Sequence, residues 1–466
     1  MRRRRVFVAS LVILAAAAVF AAVGFGSATS AAPVLGGGAE VAPANTAAFV
    51  ALDTNVSSSQ WQALDGLLAK FPGYDTLVGK LQQGFEQKTG LSWTNDVKPA
   101  LGPEVDIALL PTASGGKPNA VLLTQPSDPA KLAAVLQKSS TSGGPALVSA
   151  QVGGWTVVGD SQAALDAVSG ATSHLAADPA YQNATGRLEP GALVDAYANC
   201  AQARQLLSAL GHANTGGGKL VWAAGDAVAA SGGLKLDGFL HRDVAAPQAY
   251  TSSILDRIPA GALAVIDFQA GSSGDSGAQA AASPVGAALT KIASTLGGET
   301  ALYVSPGTPL PSLTLVTHPS DPQAVIAALN EGLAAAGKAA DGSSTGGLGL
   351  GSILGGLQLF HSEVGDALVV STSHEAVDAF TGSGPKLSGD ATFQDARQAS
   401  GMPDQTTGFA YVDVQDALPL VQGLAALSGA TGSTAIPDLS ALHTLTAFGS
   451  GASDGVERFT AFLEVR

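Results

Sequence analysis

The stretch Pro126-Ser127-Asp128-Pro129 returns letter for letter as Pro319-Ser320-Asp321-Pro322. Each copy follows an apolar run (residues 120–124 and 313–317) and precedes residues at helical spacing: Leu132, Val135 and Leu136 in the first, Val325 and Leu329 in the second. The tetrapeptide has a mechanical reading. The aspartate accepts the free N–H groups of a helix start, and the proline takes the first helical position, where no donor is needed. Two such strand–cap–helix passages in one chain imply a tandem duplication.

The rest of the chain aligns on that pair. Apolar strands with almost no polar alternation open the halves, at 47–53 after Pro43 and at 262–268 after Pro259, so both faces are expected to be covered. In the first half Trp61, Leu64, Leu68 and Phe71 fall at helical spacing behind Ser57-Ser58-Ser59, and Pro72-Gly73 breaks that helix. Tyr74, Leu77, Val78, Leu81 and Phe85 line a second helix. The second half compresses this region to 278–296. Both halves then read Leu-Gly-x-Glu, at 101–104 and 296–299, and enter a strand that ends at Pro111 or Pro306.

Beyond the tetrapeptide each half predicts a hairpin: 146–151 with 155–158 across Gly153-Gly154, and 357–363 with 367–370 across Gly365-Asp366. Thr372 and Glu375 fit a capping box, and Asp178-Pro179 and Asp390-Ala391 start a further matching helix. Later strands are expected at 193–198 and 409–414. Two closing strands follow in each half, 220–229 with 234–241 and 445–450 with 456–465, the last pair turning at Asp454-Gly455. Short turns pair strands antiparallel. The expected fold is therefore α+β: a tandem pseudo-twofold repeat, each half an antiparallel sheet with helices mainly on one side, preceded by one N-terminal transmembrane helix. The first repeat covers 43–245 and the second 254–466. The low-complexity stretches 271–282 and 342–351 read as loops.

The N-terminus reads as an address. Residues 1–5 hold the basic cluster Arg2 to Arg5, residues 6–26 read as a transmembrane signal-anchor, and 27–42 read as a flexible stalk. Residues 6–25 carry no charged side chain, and about 20 such residues suffice to span a hydrocarbon core as a helix. The basic cluster should stay cytoplasmic, which makes this a single-pass protein of the cell membrane with its bulk extracytoplasmic. The alternative is secretion after cleavage near Ala28, Ser30 and Ala32.

Composition narrows the function classes. Charged residues are 13%, about half the usual fraction, and Gly (58 of 466) and Ala make the core layers thin. The net charge is −14 although the first 32 residues hold four Arg and no acid, so the exported body is strongly acidic and repels phosphate backbones. Nucleic acid is not an expected partner. The one cysteine, Cys200, cannot form an intramolecular disulfide and reads as a small buried apolar residue.

Taken in order, the apolar N-terminus, Pro-Ala-x-Thr at 43–46, Leu-Gly-Pro-Glu at 101–104, Pro-Ser-Asp-Pro, Gly-Trp-Thr-Val-Val at 154–158 and Asp-Pro-Ala-Tyr at 178–181 give a chain that resembles domain-of-unknown-function family 3352. The resemblance implies a membrane-anchored, exported bacterial protein, mostly actinobacterial, of the cell envelope. It brings no activity and no functional residues.

No chemistry stands out. Gly274-Asp275-Ser276-Gly277 is superficially like a protease nucleophile motif but sits in a Gly/Ser/Ala-rich run with no suitable His upstream. His374-Glu375 is not a zinc motif, because Asp378 stands where the second His belongs. The seven histidines are scattered, and His318 aligns with Gln125, so no duplicated metal site is expected. Glu104 and Glu299 occupy equivalent positions and read as solvated carboxylates at strand entrances, the alternative being that they face each other in a pseudo-dimer. All four Trp fall in the first half and read as core, with Trp93 placed to line a groove; a ligand site is expected on that half or between halves. No catalytic, cofactor-binding or metal residue is assigned and no cofactor is expected. The expected function is a non-catalytic, membrane-tethered envelope binding or scaffold protein with a lipid or protein partner. The alternatives are a carrier of lipid or a small apolar ligand, and an unrecognised hydrolase.

Overall fold

The tetrapeptide aspartates act as caps. Asp128 Oδ1 accepts from the N–H groups of Ala130 (2.9 Å) and Lys131 (3.1 Å), and Asp321 Oδ1 from that of Ala324 (3.1 Å). The prolines open the helices behind them, α3 (Pro129–Thr141) and α8 (Pro322–Asp341). The computed structural model describes residues 35–111, 119–141, 147–209, 220–243, 247–270, 284–307, 310–341, 358–427, 438–451 and 454–466. They form two compact units, the first running to Asp243 and the second beginning at 247.

Unit 1 contains β1 (Ala48–Asp53), β2 (Glu104–Leu110), β3 (Asn119–Thr124), β4 (Val148–Val152), β5 (Trp155–Gly159), β6 (Val194–Asn199), β7 (Leu220–Ala230) and β8 (Gly233–Arg242). Their order is β4-β5-β3-β2-β1-β6-β7-β8, antiparallel at every step. Its other helices of seven or more residues are α1 (Ser59–Leu68), α2 (Tyr74–Thr89), α4 (Gln162–Ser169), α5 (Pro179–Thr185) and α6 (Cys200–Ala209). Ser58 caps α1 and Gly73, at φ 78°, breaks the chain before α2. The β4–β5 hairpin turns on Gly153 (φ 56°) and Gly154 (φ 85°), the paired left-handed geometry of a tight turn.

Unit 2 contains β9 (Ala264–Gln269), β10 (Glu299–Ser305), β11 (Ser312–Thr317), β12 (Phe360–Val364), β13 (Ala367–Ser371), β14 (Gly408–Asp413), β15 (Leu442–Gly451) and β16 (Val456–Val465). Their order is β12-β13-β11-β10-β9-β14-β15-β16, again antiparallel throughout. Its helices besides α8 are α7 (Pro284–Thr295), α9 (His374–Thr381), α10 (Ala391–Ser400) and α11 (Val414–Leu427). The expected mixture of helices and antiparallel sheet is what the chain forms.

Several local expectations are corrected. Helices cover both faces of the unit 2 sheet, not mainly one. Neighbouring strand residues point to opposite faces: Val316 and Val369 pack with Phe380 of α9 and Phe393 of α10, while Leu315, Leu368 and Val370 pack with Val325 of α8. Residues 37–42, expected within the stalk, are instead packed: Gly37–Glu40 forms a 3-10 turn and Ala39 and Ala42 are fully buried. The second unit starts before 254, since Tyr250, Ser252 and Ser253 bond to its strands. The cap of α9 is Ser373, whose Oγ accepts from Ala376 N–H at 3.1 Å; Thr372 instead takes the N–H of Leu313. No helix among the described residues is long and apolar enough to cross a membrane. The expected anchor, the Gly274–Gly277 motif and the stretches 271–282 and 342–351 lie outside the described residues.

Candidate functional site

Strand register gathers carboxylates in unit 1. Asp106 of β2 and Asp195 of β6 both stand opposite Ala51 of β1. Asp195 stands opposite Asp226 of β7, and Asp226 opposite Asp237 of β8. The four acids form one row across one face of the sheet. Asp106, Asp226 and Asp237 are buried and Asp195 is half-buried. Like charges directly opposite each other destabilise a sheet. Asp237 is paired with Lys235 at 2.8 Å. Oδ1 of Asp106, Asp195 and Asp226 is in each case buried with no hydrogen-bond partner among the described residues.

That environment holds protons. Burial, then the charges of Asp226 and Glu104, push the Asp195 carboxyl up to about 7. Burial pushes Asp226 up to about 6 against the N–H of Glu189, with the Asp237 charge adding to the rise. Burial and neighbouring Glu104 carry Asp106 well above the carboxylate range. Perturbed groups of this kind concentrate at functional sites.

A cavity of about 370 Å³ lies against the row. Its walls include Phe49, Ala51, Tyr181 of α5, Glu189 and, from β6, Asp195 and Tyr197. Asp178 caps α5 through Oδ1, accepting from Ala180 and Tyr181 N–H, and so fixes where Tyr181 enters. The Tyr181 ring meets Tyr197 edge-on at 5.2 Å and Phe49 edge-on at 6.0 Å. The ionisable acids of the wall are Glu189 and Asp195, and among the described residues no Lys, Arg or His lines it.

The segment entering unit 1 is fastened to the same acids. Glu104 Oε1 accepts from Gly36 N–H (2.7 Å) and Gly37 N–H (2.8 Å), and Asp106 Oδ2 from Gly38 N–H (2.8 Å). Glu299 does the same work in unit 2: Oε1 accepts from Ser253 N–H and Ile254 N–H, and Oε2 from Ser253 Oγ. Both glutamates are therefore buried clasps, not solvated carboxylates at strand entrances, and the partners that explain them lie within their own units.

Unit 2 carries a different row at the matching register. Two residues in from Glu299 it runs Ala301, Asp267, Phe409, Phe448, Thr460. Phe409 and Phe448 stand where unit 1 has Asp195 and Asp226. Phe393 meets Tyr411 edge-on at 5.0 Å, the counterpart of Tyr181 on Tyr197. Its acid, Asp267, is explained by hydrogen bonds from Tyr250 and from Ser252 Oγ, the latter at 2.7 Å.

Motif reading missed this row because no linear pattern joins four strands. A signal existed: aspartate is disfavoured inside strands, yet β2, β6, β7 and β8 each carry one. The residues singled out from sequence fall elsewhere. All four Trp are buried, and Trp93 sits in a cluster with Val97, Leu132 and Val135 instead of lining a groove. His374 pairs with Asp378 at 2.9 Å on an exposed helix face. The His318 ring bonds to the Glu299 carbonyl at 2.9 Å. Cys200 is half-buried, and burial raises its thiol. No grouping of His, Cys, Asp and Glu fit to hold a metal occurs among the described residues.

No curated protein matches the chain. Two solved structures, crystal forms I and III of TP0453, match at 10% and 9% identity over 43% of this chain and 78% and 80% of theirs. Their TM-scores of 0.23 and 0.22 are too low to define a common fold. Residues 6–162 match the model of a family described as a protein of unknown function, DUF3352, and it is this family that the chain resembles.

Proposed function

We propose that this protein is a membrane-tethered, extracytoplasmic, non-catalytic binding protein, made by tandem duplication of one α+β unit, whose first unit holds a small ligand. The observation that carries the reading is the exchange of Asp195 and Asp226 for Phe409 and Phe448 between units of one strand order. A sheet of that order closes with phenylalanines at these positions. The carboxylates are thus a cost to unit 1 that folding does not require, and one of them, Asp195, lines a cavity.

The duplication is supported by the shared strand order, the repeated tetrapeptide and the paired clasps at Glu104 and Glu299. The tether is supported by Arg2 to Arg5 and the uncharged residues 6–25. The acidic wall at Glu189 and Asp195 disfavours an apolar lipid as ligand.

Two measurements test the proposal. Carbonate extraction and protease accessibility of the full chain in intact cells should leave it in the membrane and cut from outside. Thermal-shift screening of small cationic, neutral and anionic solutes should find stabilising solutes for wild type, and Asp195→Phe should lose them while remaining folded. A soluble cytoplasmic chain contradicts the tether. The absence of any shift across all three classes contradicts the binding function.

A further inference from the structure

Beyond the unit 1 cavity, we infer that the second face of the unit 2 sheet holds an acyl chain of a single phospholipid. Register lines up one row across six strands: Leu313 of β11, Val304, Ala264, Val412, Leu445 and Leu463 of β16. The next row, two residues along each strand through Leu302, Ile266 and Ala447, is apolar at every position. A third passes through Phe268 to Phe459, and none of the three rows holds a charged side chain.

The same strands are packed on their other face, through Val265, Tyr411 and Phe448. An antiparallel sheet packed on one face ordinarily turns polar residues outward on the other. Here it does not. No residue of the first two rows is buried, and Ile266 is 49% exposed and Leu313 44%. Of the eight large apolar side chains exposed among the described residues, four lie on this face: Ile266, Leu313, Leu445 and Phe459. Clustered exposure of this kind marks a binding surface. Helix α8 stands at the β11 end, where Leu315 packs against its Val325, and walls that side. Unit 1 keeps the positions matching the first two rows apolar or glycine, Ala48, Val50, Ala196 and Leu240 among them.

Charge and hydrogen bonding choose the occupant. A second copy would bring another net charge of −14 against the first. A protein interface carries about one hydrogen bond per 100–200 Å², and the first two rows offer no side-chain donor or acceptor. A surface that lies in a bilayer interface carries Trp, Tyr, Lys or Arg, and the three rows carry none. An acyl chain needs neither hydrogen-bond partner nor counter-charge. Five strand-to-strand steps of about 4.8 Å make a row about 24 Å long. One leaflet's share of a hydrocarbon core is about 15 Å, so a whole chain fits along it.

The test is photolabelling of the full chain, purified in detergent, with phosphatidylcholine bearing a diazirine at the end of one acyl chain. Peptide mapping should place label on β9, β15 or β16, at Ile266, Leu445 or Phe459, and native mass spectrometry should count one lipid per chain. Ile266→Gln and Leu445→Gln alter exposed side chains. Each should lower strand labelling at least threefold and melt within about 2 °C of wild type. Label that is absent, confined to residues 6–25 or spread evenly over the surface overturns the assignment. A dimer that reverts to monomer on Ile266→Gln gives the face to a second copy and overturns it too. Strand labelling unchanged in both variants overturns the site. The unit 1 cavity is tested separately, by the solute screen.

Discussion

Asp195 on β6 and Asp226 on β7 stand directly opposite one another, two carboxylates with an unused oxygen each. Directly opposed strand residues have Cα atoms only about 4.5–5.5 Å apart. The pair is tolerated because burial, with the Asp226 charge acting on Asp195 and the Asp237 charge on Asp226, keeps protons on it: Asp195 rises to about 7 and Asp226 to about 6.

The pair sets a pH dependence with a definite sign. From the ordinary carboxylate value of 3.8 up to 6–7, the folded protein retains protons that the unfolded chain has released. Stability follows the difference in bound protons, so it falls as pH rises through this window and levels off above it. Chemical denaturation of unit 1, followed by tryptophan emission (all four Trp lie in that unit), should show a midpoint that declines from pH 5 to pH 7.5 and is flat from 7.5 to 8.5. A midpoint that climbs with pH over that window contradicts the account.

Glu299 contributes with the opposite sign. Burial works to raise its carboxyl, but hydrogen bonds from the Ser253 and Ser252 hydroxyls and the Ser253 and Ile254 N–H groups outweigh burial and leave it below its ordinary 4.5. Its stabilisation is present above the unfolded value and is lost as pH falls through the folded one. Glu299→Ala strips the acceptors from these donors and should cost about 3 kcal/mol or more. That corresponds to a melting temperature lower by about 6–12 °C for a unit of this size. A loss under about 1 kcal/mol would mean that the clasp at Ser252 and Ser253 adds nothing.

Gly38 is a close-approach glycine. An added Cβ would stand 2.2 Å from Asp106 Oδ2, the atom that binds the Gly38 N–H. Gly38→Ala should destabilise unit 1 by about 1–3 kcal/mol through that clash. Gly79, inside α2 with nothing within 4 Å of such a carbon, is the control: Gly79→Ala should stabilise by about 0.5–1 kcal/mol. Equal effects at the two sites, read by thermal unfolding, would contradict the fit of the entering segment.

Strands, caps and hairpin turns were legible because their signals are local. Asp128-Pro129 and Asp178-Pro179 carry their own hydrogen-bond logic, and Gly153-Gly154 its own dihedrals. The cap at Ser373 differs from the sequence expectation by one residue, since Thr372 and Ser373 compete for one role and the hydrogen bond that Thr372 Oγ1 accepts from Leu313 N–H decides it. Glu104 and Glu299 were recognised as equivalent but not as clasps, because the donors they hold lie 67 and 46 residues away. The acid row left only the weak trace of one aspartate in each of four strands, for the same reason. Asp106, Asp195, Asp226 and Asp237 become neighbours only through the order of five strands, and that order is a tertiary property.

If the acids of unit 1 burden its folding, neutralising them should stabilise it, and the thermal unfolding of Asp195→Asn and Asp226→Asn at pH 8 measures this. Each substitution removes a charge from the opposed pair and keeps its shape, so the melting temperature should rise by about 2–4 °C for every kcal/mol of repulsion relieved. A melting temperature that falls in both variants would show that the carboxylates hold unit 1 together.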